Sequence, residues 1–134
     1  MSEKLRVADL MSLEPITILG SAPVARAQQL MDRHGVSGLP VVDDDGRLMG
    51  VISQTDLLRV HTDEALRIQW TSLRVSAVMT SPARTIDSGA PVLEAAAAME
   101  EHQIHRLVVV DADGRPTGVL STLDLVRRLN DKSS

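Results

Sequence analysis

Two short stretches carry the residues best suited to chemistry, Ser53-Gln-Thr55-Asp56 and Ser121-Thr-Leu-Asp124, each a serine followed three residues later by an aspartate. Both come directly after a β-favouring run and directly before a helical pattern, so both mark a strand-to-helix turn. The free backbone N–H groups and the dipole at such a helix start attract phosphate, and a carboxylate there can accept hydrogen bonds from both hydroxyls of a ribose. The same spacing suits a purely structural cap, with the serine capping the helix and the acid favouring its first turn. Spacing alone leaves both readings open.

A second asymmetric feature is His105-Arg106, which stands where the first half of the chain has Ser37-Gly38. A guanidinium can form two directed hydrogen bonds to a phosphate, and it can equally be a solvated cation at a strand end. His102 and His105, with Glu100 and Glu101, carry metal-ligating atoms, but the pair spans a helix end and no third ligand falls into place. Asp43-Asp44-Asp45-Gly46 begins like a calcium loop, yet Val51-Ile52 occupies the stretch where later oxygen ligands belong, so it reads as a hairpin turn. No activated nucleophile pair, acid–base set or Walker-type glycine loop is visible, which argues against an enzyme.

The elements that position these residues come twice. Sliding the chain on itself by 68 places Val7 on Val75, Met11 on Met79, Gly46 on Gly114 and Asp56 on Asp124; roughly 23 of 53 pairs match without a gap, against roughly three by chance. The halves, 7–60 and 75–129, should therefore share one fold. In each, a short strand (Thr17-Ile18, Thr85-Ile86) leads to a helix whose first turn holds Pro23 or Pro91. Val24, Ala27, Leu30 and Met31, and in the second half Val92, Ala95, Ala98 and Met99, recur at helical spacing and should be buried. Gly35 suits a left-handed helix end, whereas Gln103 at its counterpart lacks that freedom. The helices end near His34 and His102. Leu39-Pro40-Val-Val42 and Leu107-Val-Val-Val110 then pair with the runs ending at Ile52 and Leu120 across Asp45-Gly46 and Asp113-Gly114. A final helix completes β-α-β-β-α, an α+β or mixed α/β class. The connector 61–74 contains Glu64-Ala65-Leu66-Arg67 and should be partly helical.

Composition bounds the partners. The 134 residues hold one aromatic, Trp70, so the core must be aliphatic, and no aromatic platform exists for stacking bases. The formal charge of −4 offers no phosphate-neutralising surface for nucleic acid. There is no cysteine, which excludes disulfides, thiolate catalysis and sulfur-ligated zinc. No leader pattern follows Met1 and no run approaches ~18 apolar residues, so a cytoplasmic protein without a membrane contact is expected.

The ordered set GVISQTD (50–56) and GVLSTLD (118–124), with the openings VADLM and VSAVM and the strands GLPVVD and RLVVVD, resembles the CBS (cystathionine beta-synthase) domain family in tandem, of the small stand-alone type. The resemblance covers almost the whole chain. It implies two pseudo-symmetric repeats forming one module, with two equivalent clefts that often bind AMP, ADP, ATP or another adenosyl compound. It implies ligand contacts at Thr17, Ile18, Leu39 and Pro40 and at Thr85, Ile86 and Leu107, where first- and second-strand groups hold adenine, although Val108 departs from the proline that the family places after Leu107. It implies ribose and phosphate contacts at Ser53, Thr55, Asp56, Ser121 and Asp124. His105 and Arg106 are similar to a His-Arg pair that faces phosphate in the family's nucleotide-sensing kinase subunits. No cofactor is required; an adenosine nucleotide is the expected regulatory ligand, a homodimer the expected assembly, and a regulated protein the expected partner. The alternative is a homodimerising interaction domain whose clefts are vestigial.

Overall fold

A computed structural model of the chain describes residues 5–13 and 15–133. Residues 1–4, the start of the stretch without a leader pattern, lie outside the described residues. In chain order the elements are α1 (Val7–Leu10), β1 (Ser12–Leu13), β2 (Ile18–Leu19), α2 (Val24–His34), β3 (Gly38–Val42), β4 (Leu48–Ser53), α3 (Gln54–Thr62), α4 (Glu64–Arg67), α5 (Val75–Val78), β5 (Thr85–Asp87), α6 (Val92–His102), β6 (Arg106–Val110), β7 (Pro116–Ser121) and α7 (Thr122–Ser133). They form two compact units, a first of Ile16–Ala83 and a second joining residues 5–13 to residues 84–133. Each has the mixed α/β build and β-α-β-β-α order expected of a repeat.

In the first unit the sheet order is β2-β3-β4, with β2 parallel and β4 antiparallel to β3. Aspartate-glycine closes the β3–β4 hairpin: Gly46 takes a φ of 83°, and the Asp43 Oδ1 accepts the Asp45 and Arg47 N–H groups at 2.9 and 3.0 Å. Val24, Ala27 and Met31 of α2 turn inward against Leu39, Val41 and Ile52, while Leu30 is half-buried. Gly35 ends α2 in the left-handed region, as its flexibility favours. The connector is partly helical: Asp63 caps α4 by accepting the Leu66 N–H at 3.2 Å, and Trp70 packs on this core with its ring 4.2 Å from that of His61.

The second unit repeats the plan with an added strand, in the order β1-β7-β6-β5. Its hairpin turns at Gly114 with φ 81°, and Ala95 and Met99 of α6 are buried against Leu107, Val109 and Leu120. Gln103 corrects the expectation drawn from its lack of freedom, because it takes φ 53° and ends α6 as Gly35 ends α2. The Gln103 N–H donates to the Glu100 carbonyl at 3.3 Å, and the Ile104 N–H to Met99 O at 3.0 Å while Ile104 packs on the core. Those bonds and that contact offset a left-handed strain of about 1–2 kcal/mol.

The segment before each repeat's first strand crosses over. α1, at the opening of the first repeat, lies in the second unit, with Val7 in its core and the Val7 N–H bonded to Ala90 O at 2.9 Å. α5, at the opening of the second repeat, lies in the first unit, with Val75 in its core and its N–H bonded to Ala22 O at 2.8 Å. No helix among the described residues is long and apolar enough to cross a membrane.

Candidate functional site

The second unit's strand-to-helix corner gathers most of the polar residues singled out above. β6 and β7 pair so that Arg106 stands directly opposite Ser121. Where β7 gives way to α7, the Ser121 N–H donates to Asp124 Oδ2 at 2.8 Å and the Asp124 N–H donates back to Ser121 Oγ at 3.1 Å. This reciprocal cap orients the Asp124 carboxylate through one oxygen; its Oδ1 accepts no hydrogen bond from the described residues. The His105 carbonyl accepts the Thr122 N–H at 2.8 Å and the Thr122 hydroxyl at 3.1 Å, which ties the entry of β6 to the start of α7. The Arg106 and His105 side chains are exposed, Asp124 is half-buried, and Thr85 on the neighbouring parallel strand is exposed. Ile86 and Leu107 have side chains in the core, so any contact with a ligand comes through their backbone.

The first unit's corner has the same frame and a different chemistry. Ser53 N–H and Ser53 Oγ donate to Asp56 Oδ2 at 2.9 and 3.1 Å, and the Asp56 N–H donates to Ser53 Oγ at 3.3 Å. Asp56 is only 1% exposed, and its Oδ1 also accepts from Arg59 and from the Thr80 hydroxyl, both at 3.2 Å. Gly38 lies opposite Ser53, so no cation faces the serine across the strands. Thr55 is exposed in the first turn of α3, and Ile18, Leu39 and Pro40 are buried.

Pro40 accounts for a further difference. In the second unit the Val108 N–H donates to the Arg84 carbonyl at 3.1 Å, and the parallel strand β5 begins at Thr85. Pro40, at the matching place, has no N–H to give. The ladder of β2 therefore begins at Ile18, and Thr17 lies just outside the strand that its sequence suggests. Among the described residues no three His, Asp or Glu side chains gather as a metal site would need.

A family model described as the CBS domain matches the chain twice, over residues 7–63 and 75–131. The chain belongs to the CBS-domain family. Its CBS repeats are 36% identical over 118 residues to inosine-5'-monophosphate dehydrogenase of Mycobacterium bovis, a match that covers 87% of this chain and 21% of that protein. They are 34% identical over 126 residues to arabinose 5-phosphate isomerase KdsD of Pseudomonas aeruginosa, covering 92% of this chain and 37% of that one. The chain thus spans a minor part of the curated relatives it matches. Among solved CBS structures, Arabidopsis thaliana CBSX2 in complex with AMP superposes with a TM-score of 0.83 at 30% identity, over 96% of this chain and 98% of that one. The CBS pair of protein MJ0100, in complex with 5-methylthioadenosine and S-adenosylmethionine, superposes with a TM-score of 0.83 at 26% identity, over the same shares.

Two residues of these CBS corners, Arg59 and Thr80, are not among those singled out from the sequence. Arg59 is legible as a helical neighbour of Asp56 at i+3, a spacing that brings side chains together. Thr80 is not, because 24 residues separate it from Asp56 and only the return of the chain past β4 brings the two together.

Proposed function

We propose that this CBS pair is a cytoplasmic regulatory module, not an enzyme, which binds an adenosine nucleotide (AMP, ADP or ATP) and passes that binding on as a change of conformation or assembly. The observation that carries this reading is the Asp124 corner: a carboxylate held in place through one oxygen by the Ser121 amide, its other oxygen uncommitted among the described residues, with Arg106 directly across the strand pair. A ribose diol suits the carboxylate, and a phosphate suits the guanidinium and the start of α7. Thr85, Ile86 and Leu107 supply backbone edges for the base, with His105 beside the phosphate. The AMP complex of a 30%-identical relative supports the choice of ligand class.

The test is calorimetry with AMP, ADP, ATP, S-adenosylmethionine and NAD on the parent and Asp124→Asn proteins. Asparagine keeps the shape and one oxygen of the cap but weakens charge-assisted bonds to ribose, so affinity should fall more than melting temperature. An unchanged affinity for every nucleotide that binds the parent reassigns Asp124 to capping alone. Ligand at about 100 times its dissociation constant should stabilise the fold by about 2.7 kcal/mol. An assembly domain with vestigial ligand corners is the second reading; the enclosed Asp56 favours it for the first repeat, and an absence of ligand-dependent stabilisation would establish it for both. In either reading the exposed Leu93 of α6 and Leu123 and Val126 of α7 are apolar helix surface for a homodimer, and sedimentation as a monomer at high micromolar concentration would refute that assembly.

A further inference from the structure

We propose that Thr80 withholds Asp56 from nucleotide, so that the second repeat's corner is the standing receptor and the first accepts ligand only when the Thr80 hydroxyl leaves the carboxylate. This rests on the nucleotide reading above and adds to it a residue that decides occupancy. A carboxylate has about four lone-pair positions. Those of Asp56 receive Ser53 N–H, Ser53 Oγ, Arg59 and the Thr80 hydroxyl, which lies 3.2 Å from Oδ1 and 3.5 Å from Oδ2. A ribose diol needs two of these positions, and the serine bonds belong to the cap. Arg59 and Thr80 are therefore the groups that must yield.

They yield unequally. The Arg59 side chain is 63% exposed, and an exposed cation leaves such a contact readily. Thr80 is fastened to β4 by its backbone, with Val51 N–H to Thr80 O at 3.0 Å and Thr80 N–H to Val51 O at 2.8 Å. Thr80 is exposed, but its branched side chain has few rotamers, so with the backbone fixed the hydroxyl leaves the carboxylate only by a change of χ1 rotamer. The second repeat supplies the contrast. Ser12 occupies Thr80's place in the repeat, and its carbonyl lies 2.7 Å from where a Cβ on Gly118 would stand, so its segment runs against β7 as Thr80's runs against β4. Yet among the described residues the side-chain bonds of Asp124 are those of its cap with Ser121, with none from Ser12 and no ion pair from Arg127, at Arg59's place. The same backbone course leaves one carboxylate enclosed and the other accessible.

The experiment counts AMP molecules bound per chain by calorimetry. The parent should bind one, lost in Asp124→Asn and kept in Asp56→Asn. Thr80→Val preserves shape and backbone bridge while removing the hydroxyl; it should bind a second AMP at least about tenfold more tightly than the parent's first corner does. That added site should vanish again in Thr80→Val with Asp56→Asn. Retained binding at the Asp124 corner reports that the Asp56 and Thr80 variants are folded, an unchanged melting temperature does so for Asp124→Asn, and Thr80→Ala serves as a second variant if valine disturbs packing. One AMP per chain in both Thr80 variants, or two equal sites in the parent, overturns the role of Thr80 while the nucleotide reading stands. Failure of every adenosine nucleotide to bind the parent overturns both.

Discussion

Asp56 and Asp124 occupy the same point of the repeat, cap the same kind of helix and differ in what reaches their second oxygen. The Thr80 hydroxyl bonded to Asp56, and the whole side chain that separates Arg106 from Gly38, give two near-identical corners different chemistry. If Arg106 holds phosphate as proposed, Arg106→Ala should remove a charge-assisted bond of about 1.5–3 kcal/mol net, so affinity for AMP and ATP should fall roughly ten- to a hundredfold. Adenosine, which carries no phosphate, should bind nearly as before. Parallel titrations with the three ligands check this; equal losses for all, or none for any, would remove the phosphate role.

At the scale of elements, the first glycine of each GVISQTD-type motif is there for close approach. A Cβ on Gly118 would lie 2.7 Å from both the Ser12 carbonyl and the Met11 sulfur, and one on Gly50 would lie 2.5 Å from the Thr80 carbonyl. Backbone cannot retreat from such a contact as a flexible side chain can. Gly118→Ala should therefore separate β1 from β7 at a cost of about 1–3 kcal/mol, read as a fall of several degrees in Tm. The hairpin of the second repeat carries a pH signature. The Arg115 backbone N–H bonded to Asp111 is the strongest influence on that carboxyl, aided by the Asp113 N–H and opposed by partial desolvation, and holds it below its ordinary value of 3.8. Because the folded-state value is depressed, its contribution is fully present above the ordinary value and is lost as pH falls through the folded one. Melting curves from about pH 6 to about pH 3 should show a shallower acid decline in Asp111→Asn than in the parent.

At the scale of the molecule, sequence repeats and compact units are not the same objects. Val7 completes the core of the second unit and Val75 that of the first, so each hydrophobic core is finished by a residue from the other repeat's opening. Removing residues 1–13 should therefore raise hydrogen exchange in β6 and β7 while β3 and β4 keep their protection. Loss of protection first in β3 and β4 would refute this division of the chain. The exchange also explains the Thr80 contact, since Thr80 follows α5 and reaches Asp56 only because α5 packs in the first unit.

The repeat, the hairpins at Gly46 and Gly114, the buried faces of α2 and α6 and the Ser-x-x-Asp caps were all legible in the chain, because each rests on neighbours a few residues apart whose periodicity or turn chemistry survives in one dimension. So were the residues that the CBS resemblance marks. The exchange of α1 and α5, the pairing of β1 with β7, the left-handed turn at Gln103 and the enclosure of Asp56 by Thr80 were decided by tertiary structure. Each depends on contacts between distant segments, where packing and hydrogen bonding outweigh local preference: Gln103 is held left-handed by what Ile104 buries, and Asp56 is enclosed by a hydroxyl 24 residues away.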